Sequence, residues 1–147
     1  MDARAMAAVL DRIPYTRELG LVLDAAGDGE VRMTLPDQDA TRNLVGTVHA
    51  GALFAFGETV AGVAAGLQTL DHAFPFARGA RIRYAHPAAG LVRGLARVSP
   101  AEATRVLEEV DRDGRSELRV LVVLQDSHEK TVAELEVDYA FRPVGGK

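Results

Sequence analysis

The sequence predicts an α+β domain in which an antiparallel sheet curls around one apolar helix. Three observations lead there. Ala50 to Leu70 is an apolar run whose only charge is Glu58, and ten of its 21 residues are Gly or Ala. Several shorter runs alternate apolar and polar residues, as half-buried strands do. Those runs follow one another across turn residues with few helices between them, which favours antiparallel pairing.

The elements follow in order. Residues 1–13 read as a helix, with Met6, Val9, Leu10 and Ile13 at helical spacing and Pro14 as its end. Leu21 and Leu23 precede the turn Gly27-Asp28-Gly29, and Val31, Met33 and Leu35 alternate after it, so the two runs make a hairpin. Pro36 to Arg42 is a polar loop. Ala50 to Leu70 is too long for a strand and poor in β-branched residues, so it reads as helix. Its small side chains allow backbone to approach closely from all sides. Ala80, Ile82, Tyr84 and His86 alternate with Arg81, Arg83 and Ala85 as the next strand, and Leu91 to Val98 follows the turn at Pro87 to Gly90. Ser99-Pro100-Ala101-Glu102 is a capping box with proline at the first helical position, opening a short helix that Asp113-Gly114 closes. Leu118 to Leu124, the turn Asp126 to Lys130 and Val132 to Phe141 complete a meander, and Pro143 to Lys147 is a polar tail.

Composition excludes several functions. The 147 residues contain no cysteine, so disulfides and a catalytic thiol are absent. Serine occurs only at 99, 116 and 127, never as G-x-S-x-G, which argues against an elbow-type serine hydrolase. A net charge of −4 disfavours nucleic acid as a partner. The apolar run is no membrane span: it is rich in Gly and Ala, carries a carboxylate, and lacks basic flanks. No leader peptide is read at the N-terminus, so the cytoplasm is the expected location. His72, His86 and His128 lack ligand spacing for a metal. The run Ser127-His128-Glu129 sits in a turn, where adjacent residues rarely converge as a triad.

Chemistry concentrates in Asn43-Leu44-Val45-Gly46-Thr47-Val48-His49-Ala50-Gly51, which runs into the helix carrying Glu58. A carboxylate in an apolar helix must be paired, hydrated or protonated. Desolvation raises its pKa and makes it a general base suited to neutral pH; pairing with one of the chain's fifteen arginines is the plainer alternative. The helix start around Ala50 and Gly51 presents unpaired N–H groups able to stabilise an oxyanion. Eight residues separate Ala50 from Glu58, about 12 Å of helical rise. One carbonyl can meet both only if a second copy's helix lies antiparallel alongside, so the site, if formed, is dimeric.

Here the sequence resembles the hotdog-fold acyl-CoA thioesterases of the phenylacetate-degradation (PaaI-like) type. Their signature runs N-x-x-G-x-x-H-G-G with an acidic residue eight positions after the first paired glycine. Asn43, Gly46, His49, Gly51 and Glu58 keep that register, with Ala50 in place of the first paired glycine. Leu19-Gly20, the strand-turn at Ile82, Tyr84, Pro87 and Gly90, and the closing strands through Phe141 extend the likeness over residues 12–142. The resemblance implies a single hotdog domain over residues 1–147, an antiparallel sheet around a long central helix, working as a homodimer or homotetramer. It implies an acyl-CoA substrate in a channel between subunits, with coenzyme A entering only as part of that substrate and no separate cofactor. Glu58 then activates water or attacks the thioester carbonyl, the Ala50 N–H binds the oxyanion, Asn43 orients water or thioester, and His49 positions the loop. Gly46 keeps the signature's place in the binding loop. Phe54 and Phe56 read as core or acyl-pocket lining, and Arg81 and Arg83 as a solvated strand face or contacts to CoA phosphates. Alanine at 50 keeps a usable donor only if its φ is negative. The helix at 101–111 is extra relative to many relatives. Two other functions stay open: an acyl-CoA-binding or structural hotdog protein without turnover, and a hydratase or dehydratase on the same fold.

Overall fold

The computed structural model describes residues 1–145; Gly146 and Lys147, the end of the expected polar tail, lie outside the described residues. Six strands form one antiparallel sheet: β1 (Val22–Gly27), β2 (Glu30–Leu35), β3 (Ala73–Tyr84), β4 (Val92–Arg97), β5 (Ser116–Gln125) and β6 (Thr131–Pro143). Their order across the sheet is β1-β2-β4-β5-β6-β3. The meander is therefore β4-β5-β6, while β3 crosses to the far edge and pairs with β6. β3 also starts earlier than its alternating stretch suggests. Ala73 to Gly79 pair with Pro143 to Asp138, and the alternation breaks at a bulge between Ala77 and Gly79.

The N-terminal helix is two helices. Pro14 ends α1 (Ala3–Asp11) as expected, but it also occupies the first turn of α2 (Pro14–Glu18), where proline's missing N–H costs nothing. Thr16 locks the pair together by donating its hydroxyl to the Leu10 carbonyl at 2.8 Å and the Ile13 carbonyl at 2.9 Å.

The central helix α3 (Ala50–Gly66) has 17 residues and stops short of Leu70. The Thr69 hydroxyl takes the Ala65 carbonyl at 2.8 Å, and both Thr69 and Leu70 N–H groups turn back to the Gly66 carbonyl. Apolar character continues past Gly66 as a turn, which periodicity alone does not separate from helix. Close packing needs glycine on both sides of the helix–sheet contact. A Cβ at Gly57 would sit 2.5 Å from Leu135 Cδ1, and one at Gly94 would sit 2.7 Å from Val60 Cγ2. Phe56, Val60, Ala61 and Ala65 are fully buried there.

The helix is not covered on every side. Gly51, Phe54, Ala55, Glu58, Thr59 and Gly62 remain outside the buried set, a stripe at helical spacing. This open face carries the one charge of the run. α4 (Pro100–Asp113) begins at the expected capping box: the Ser99 N–H donates to Glu102 Oε2 at 2.8 Å and the Glu102 N–H to Ser99 Oγ at 3.2 Å. It buries Ala103, Val106 and Val110 against β5 and β6. Among the described residues no helix is long and apolar enough to cross a membrane.

Candidate active site

The segment leading into α3 is built by its own polar side chains. Asn43 Oδ1 accepts the N–H groups of Val45 and Thr47 at 3.1 Å, and Asn43 Nδ2 donates to the Thr47 hydroxyl at 2.8 Å. Gly46 sits at the exposed tip with φ +81°. The Val48 N–H reaches the Ala88 carbonyl and the His49 N–H the Thr41 carbonyl, which anchors the segment at both sides. Asn43 thus spends its oxygen and one amide proton on the turn, and a single amide N–H remains for any ligand.

His49 caps α3. Its Nδ1 accepts the Gly51 N–H at 2.8 Å, so in the neutral ring the proton is on Nε2. The ring packs so closely that a Cβ at Gly51 would lie 3.0 Å from Nδ1. This differs from the expectation that Gly51 shares the oxyanion site: its donor is already taken. The Ala50 N–H makes no hydrogen bond among the described residues. Ala50 is the first residue of the helix, and the non-glycine residues with positive φ are Asp28 and Glu129 among those described. Alanine therefore fits here, and its N–H keeps the positive end of the helix dipole. Tyr84 reaches over from β3 and donates its hydroxyl to the Ala50 carbonyl at 3.1 Å.

Glu58 lies two turns further along the open face and is half-buried. Burial pushes its carboxyl above the usual carboxylate range, and a hydrogen bond from Tyr139 draws it partly back. The Tyr139 hydroxyl lies 3.3 Å from both Glu58 Oε1 and the Glu58 carbonyl. Burial and the neighbouring carboxylate raise the Tyr139 phenol in turn, so it stays a donor. No arginine pairs with Glu58 within the described residues. Replacing Tyr139 with phenylalanine keeps the packing and removes the donor that favours the ionised carboxylate. The acid limb of the rate–pH profile is then expected to move to higher pH; an unmoved limb would show that Tyr139 does not tune Glu58.

Three concave spaces surround these groups. A groove of about 410 Å³ joins Asn43 and Ala50 with Leu53, Tyr84 and His86. A second, of about 540 Å³, joins Glu58 with Gly51, Phe54, Tyr15 and the Ala77 to Ala80 bulge. A third, of about 570 Å³, lies between Glu58, Tyr139 and the helices α1 and α2. One chain thus brings Asn43 to the Ala50 donor and Phe54 to Glu58, but places the two sets in separate grooves. Phe56, the other phenylalanine read as core or pocket, is fully buried core. Arg81 and Arg83 line none of these spaces. They sit on the outer face of the sheet, opposite Glu136 and Glu134 of β6, and form ion pairs with them.

Three participants escaped the sequence reading. Tyr139 lies 81 positions from Glu58, and the alternation of β6 shows only that it points inward. Arg78 occupies the bulge of β3, lines the Glu58 groove, and has no ion-pair or hydrogen-bond partner among the described residues. Bulges commonly re-aim a side chain in this way. Tyr15 of α2 closes the same groove.

Comparison with known proteins places the fold. A Pseudomonas aeruginosa protein of unknown function superposes with a TM-score of 0.86 at 24% identity, over 98% of this chain and 97% of that one. The PaaI protein from the phenylacetic acid degradation operon of E. coli gives 0.75 at 18%, over 99% and 95%. A mutant of a thioesterase enzyme from Staphylococcus aureus gives 0.72 at 20%, over 89% and 100%. The sheet wrapped on α3 is the hotdog fold of these proteins. No curated protein matches the chain in sequence. The model of one family, described as a domain of unknown function (DUF4442), matches residues 2–140, and the chain belongs to that family.

Proposed function

We infer that this protein is a cytoplasmic acyl-CoA thioesterase that works as a homo-oligomer. The observation that carries this reading is Glu58: a half-buried carboxylate with no ion-pair partner among the described residues, held by Tyr139, lining two concave spaces at once. Kinship of fold with a thioesterase enzyme supports it.

The chemistry balances without a cofactor. Glu58 accepts a proton from water as the water oxygen bonds to the thioester carbonyl carbon. The Ala50 N–H, at the positive helix end, stabilises the oxyanion that forms. Collapse breaks the C–S bond, and the thiolate takes the proton held by Glu58 to leave as coenzyme A, with the carboxylic acid as second product and Glu58 ionised again. Since Glu58 and Ala50 open into separate grooves, the reacting carbonyl needs the Ala50 of a second copy. Strand β3 supports that arrangement. It is an edge strand of 12 residues, exposed along most of its length, with Phe74, Phe76 and Tyr84 about half exposed. An uncovered edge of this length is a site for pairing with another chain. Two copies joined there about a two-fold axis would bring their open α3 faces together, antiparallel.

Arg78 is placed to hold a phosphate of coenzyme A. Arg78→Ala is expected to raise KM for acyl-CoA on the order of tenfold, with little change in kcat. The effect should vanish with an acyl-pantetheine substrate that lacks the nucleotide phosphates; an equal loss on both substrates would remove Arg78 from that role.

The reading is tested by incubating the protein with acyl-CoA thioesters of varied chain and following free thiol. Saturable release supports it. Saturable binding with no release identifies an acyl-CoA-binding protein instead.

A further inference from the structure

The third cavity is larger than the water-activating chemistry needs. It opens beside Glu58 and Tyr139 and runs under the N-terminal helices. Met6, Val9 and Leu10 of α1 form one wall; Val63 of α3, Leu70 and Phe74 form the other. Two of its polar neighbours are already satisfied. Thr16 donates to the carbonyls of Leu10 and Ile13, and Thr59 donates to the Ala55 carbonyl at 2.8 Å. The Tyr139 hydroxyl is committed to Glu58. The inner wall is thus apolar, and the donors left without a partner among those described, the Tyr15 hydroxyl and the Arg12 guanidinium, belong to exposed residues. Arg12, the remaining charged neighbour, is exposed at the rim.

Size narrows the occupant. An apolar cavity of about 150 Å³ accepts benzene, and the space here is about 570 Å³. A phenyl ring would leave most of it empty.

The geometry points to this cavity as the acyl pocket, built within one chain by α1, α2 and α3, and to unsubstituted alkyl acyl chains larger than a phenyl ring as its ligand. The inference rests on the thioesterase reading for the position of the thioester, which lies at the Glu58 end. The acyl chain runs from there toward Val63 and Leu70, and the coenzyme leaves through the second groove past Arg78. Selectivity then comes from α1 rather than from Phe54 on the open helix face.

Two measurements test this. In the first, the wild-type protein is irradiated with a thioether analogue of decanoyl-CoA that carries a diazirine at the chain end. Label on residues 3–13 or 70–75 is expected. Saturable binding with label confined elsewhere, or with no label, overturns the proposal. In the second, kcat/KM is followed from acetyl- to dodecanoyl-CoA. It should rise roughly fourfold per methylene while the chain is filling the cavity and then level. Val9→Trp, which fills the cavity from the partly buried face of α1, should lower the decanoyl-to-acetyl ratio at least tenfold. An unchanged ratio in a folded Val9→Trp protein overturns the proposal, and if that variant does not fold, the label map decides. The two readings fail separately. Label on α1 with no thiol released from any acyl-CoA removes the thioesterase and keeps the pocket. Thiol release with a flat chain-length profile and label elsewhere does the reverse.

Discussion

Glu58→Gln is expected to slow thiol release by about a thousandfold, within the range general-base catalysis supplies, with the binding of acyl-CoA retained. Glutamine keeps the size of the side chain and can accept the Tyr139 hydroxyl, but it cannot take a proton from water. The same substitution has a second effect of opposite sign. Glu58 binds its proton more tightly in the folded protein than in the unfolded chain, because burial disfavours the charge. A carboxyl raised in this way carries no penalty below its unfolded pKa, about 4.3. The penalty grows as pH rises through the folded value and is complete above it. The variant should therefore melt higher than the wild type at pH 8, and the two should converge at pH 4. A protein that loses activity and stability together at pH 8 would mark Glu58 as structural. Activity in the wild type follows the same titration, falling on the acid side at a pH above that of an ordinary glutamate.

Ala50→Pro is expected to lower kcat by about a hundredfold or more and to leave the fold intact. Proline has no N–H, so the substitution deletes the one free donor at the start of α3. The position tolerates it: Ala50 is the first residue of the helix, where proline is favoured. The preceding His49 already holds φ −60° and ψ 136°, the extended geometry that a following proline requires. Loss of a single oxyanion donor costs 10² to 10³ in kcat in other enzymes (about 3–4 kcal/mol). Unchanged kcat in a folded Ala50→Pro protein would place the oxyanion elsewhere. Circular dichroism and a melting curve establish that the helix persists.

Much of this was legible in the chain because local chemistry and global fold agree. The capping box at Ser99, the hairpin turn at Asp28-Gly29 and the alternation of β2 and β6 each specify their element without tertiary help. The motif from Asn43 to Glu58 was legible for a similar reason: its parts lie within one loop and two helical turns. What was hidden depends on distant contacts. Nothing near Tyr139 in sequence announces Glu58, which only the inward side of β6 brings close. The role of Arg78 needs the bulge that breaks the alternation of β3, and strand patterning reads a broken alternation as the end of a strand. The end of α3 at Gly66 rather than Leu70 turns on the Thr69 hydroxyl competing for a backbone carbonyl. The open stripe on α3 was masked because its Gly, Ala and Phe residues look like core, the composition that the proposed contact with a second copy would require.

That second copy is the centre of the account, and one measurement addresses it directly. Glu58→Gln and Ala50→Pro chains, each inactive alone, are given different affinity tags, coexpressed, and purified through both tags. If each site joins Glu58 of one chain to Ala50 of the other, the mixed dimer contains one doubly altered site and one native site. It should then release thiol at about half the wild-type rate per dimer. A mixed dimer as inactive as its parents would contradict the shared site, since every site built within a single chain would carry one of the two lesions.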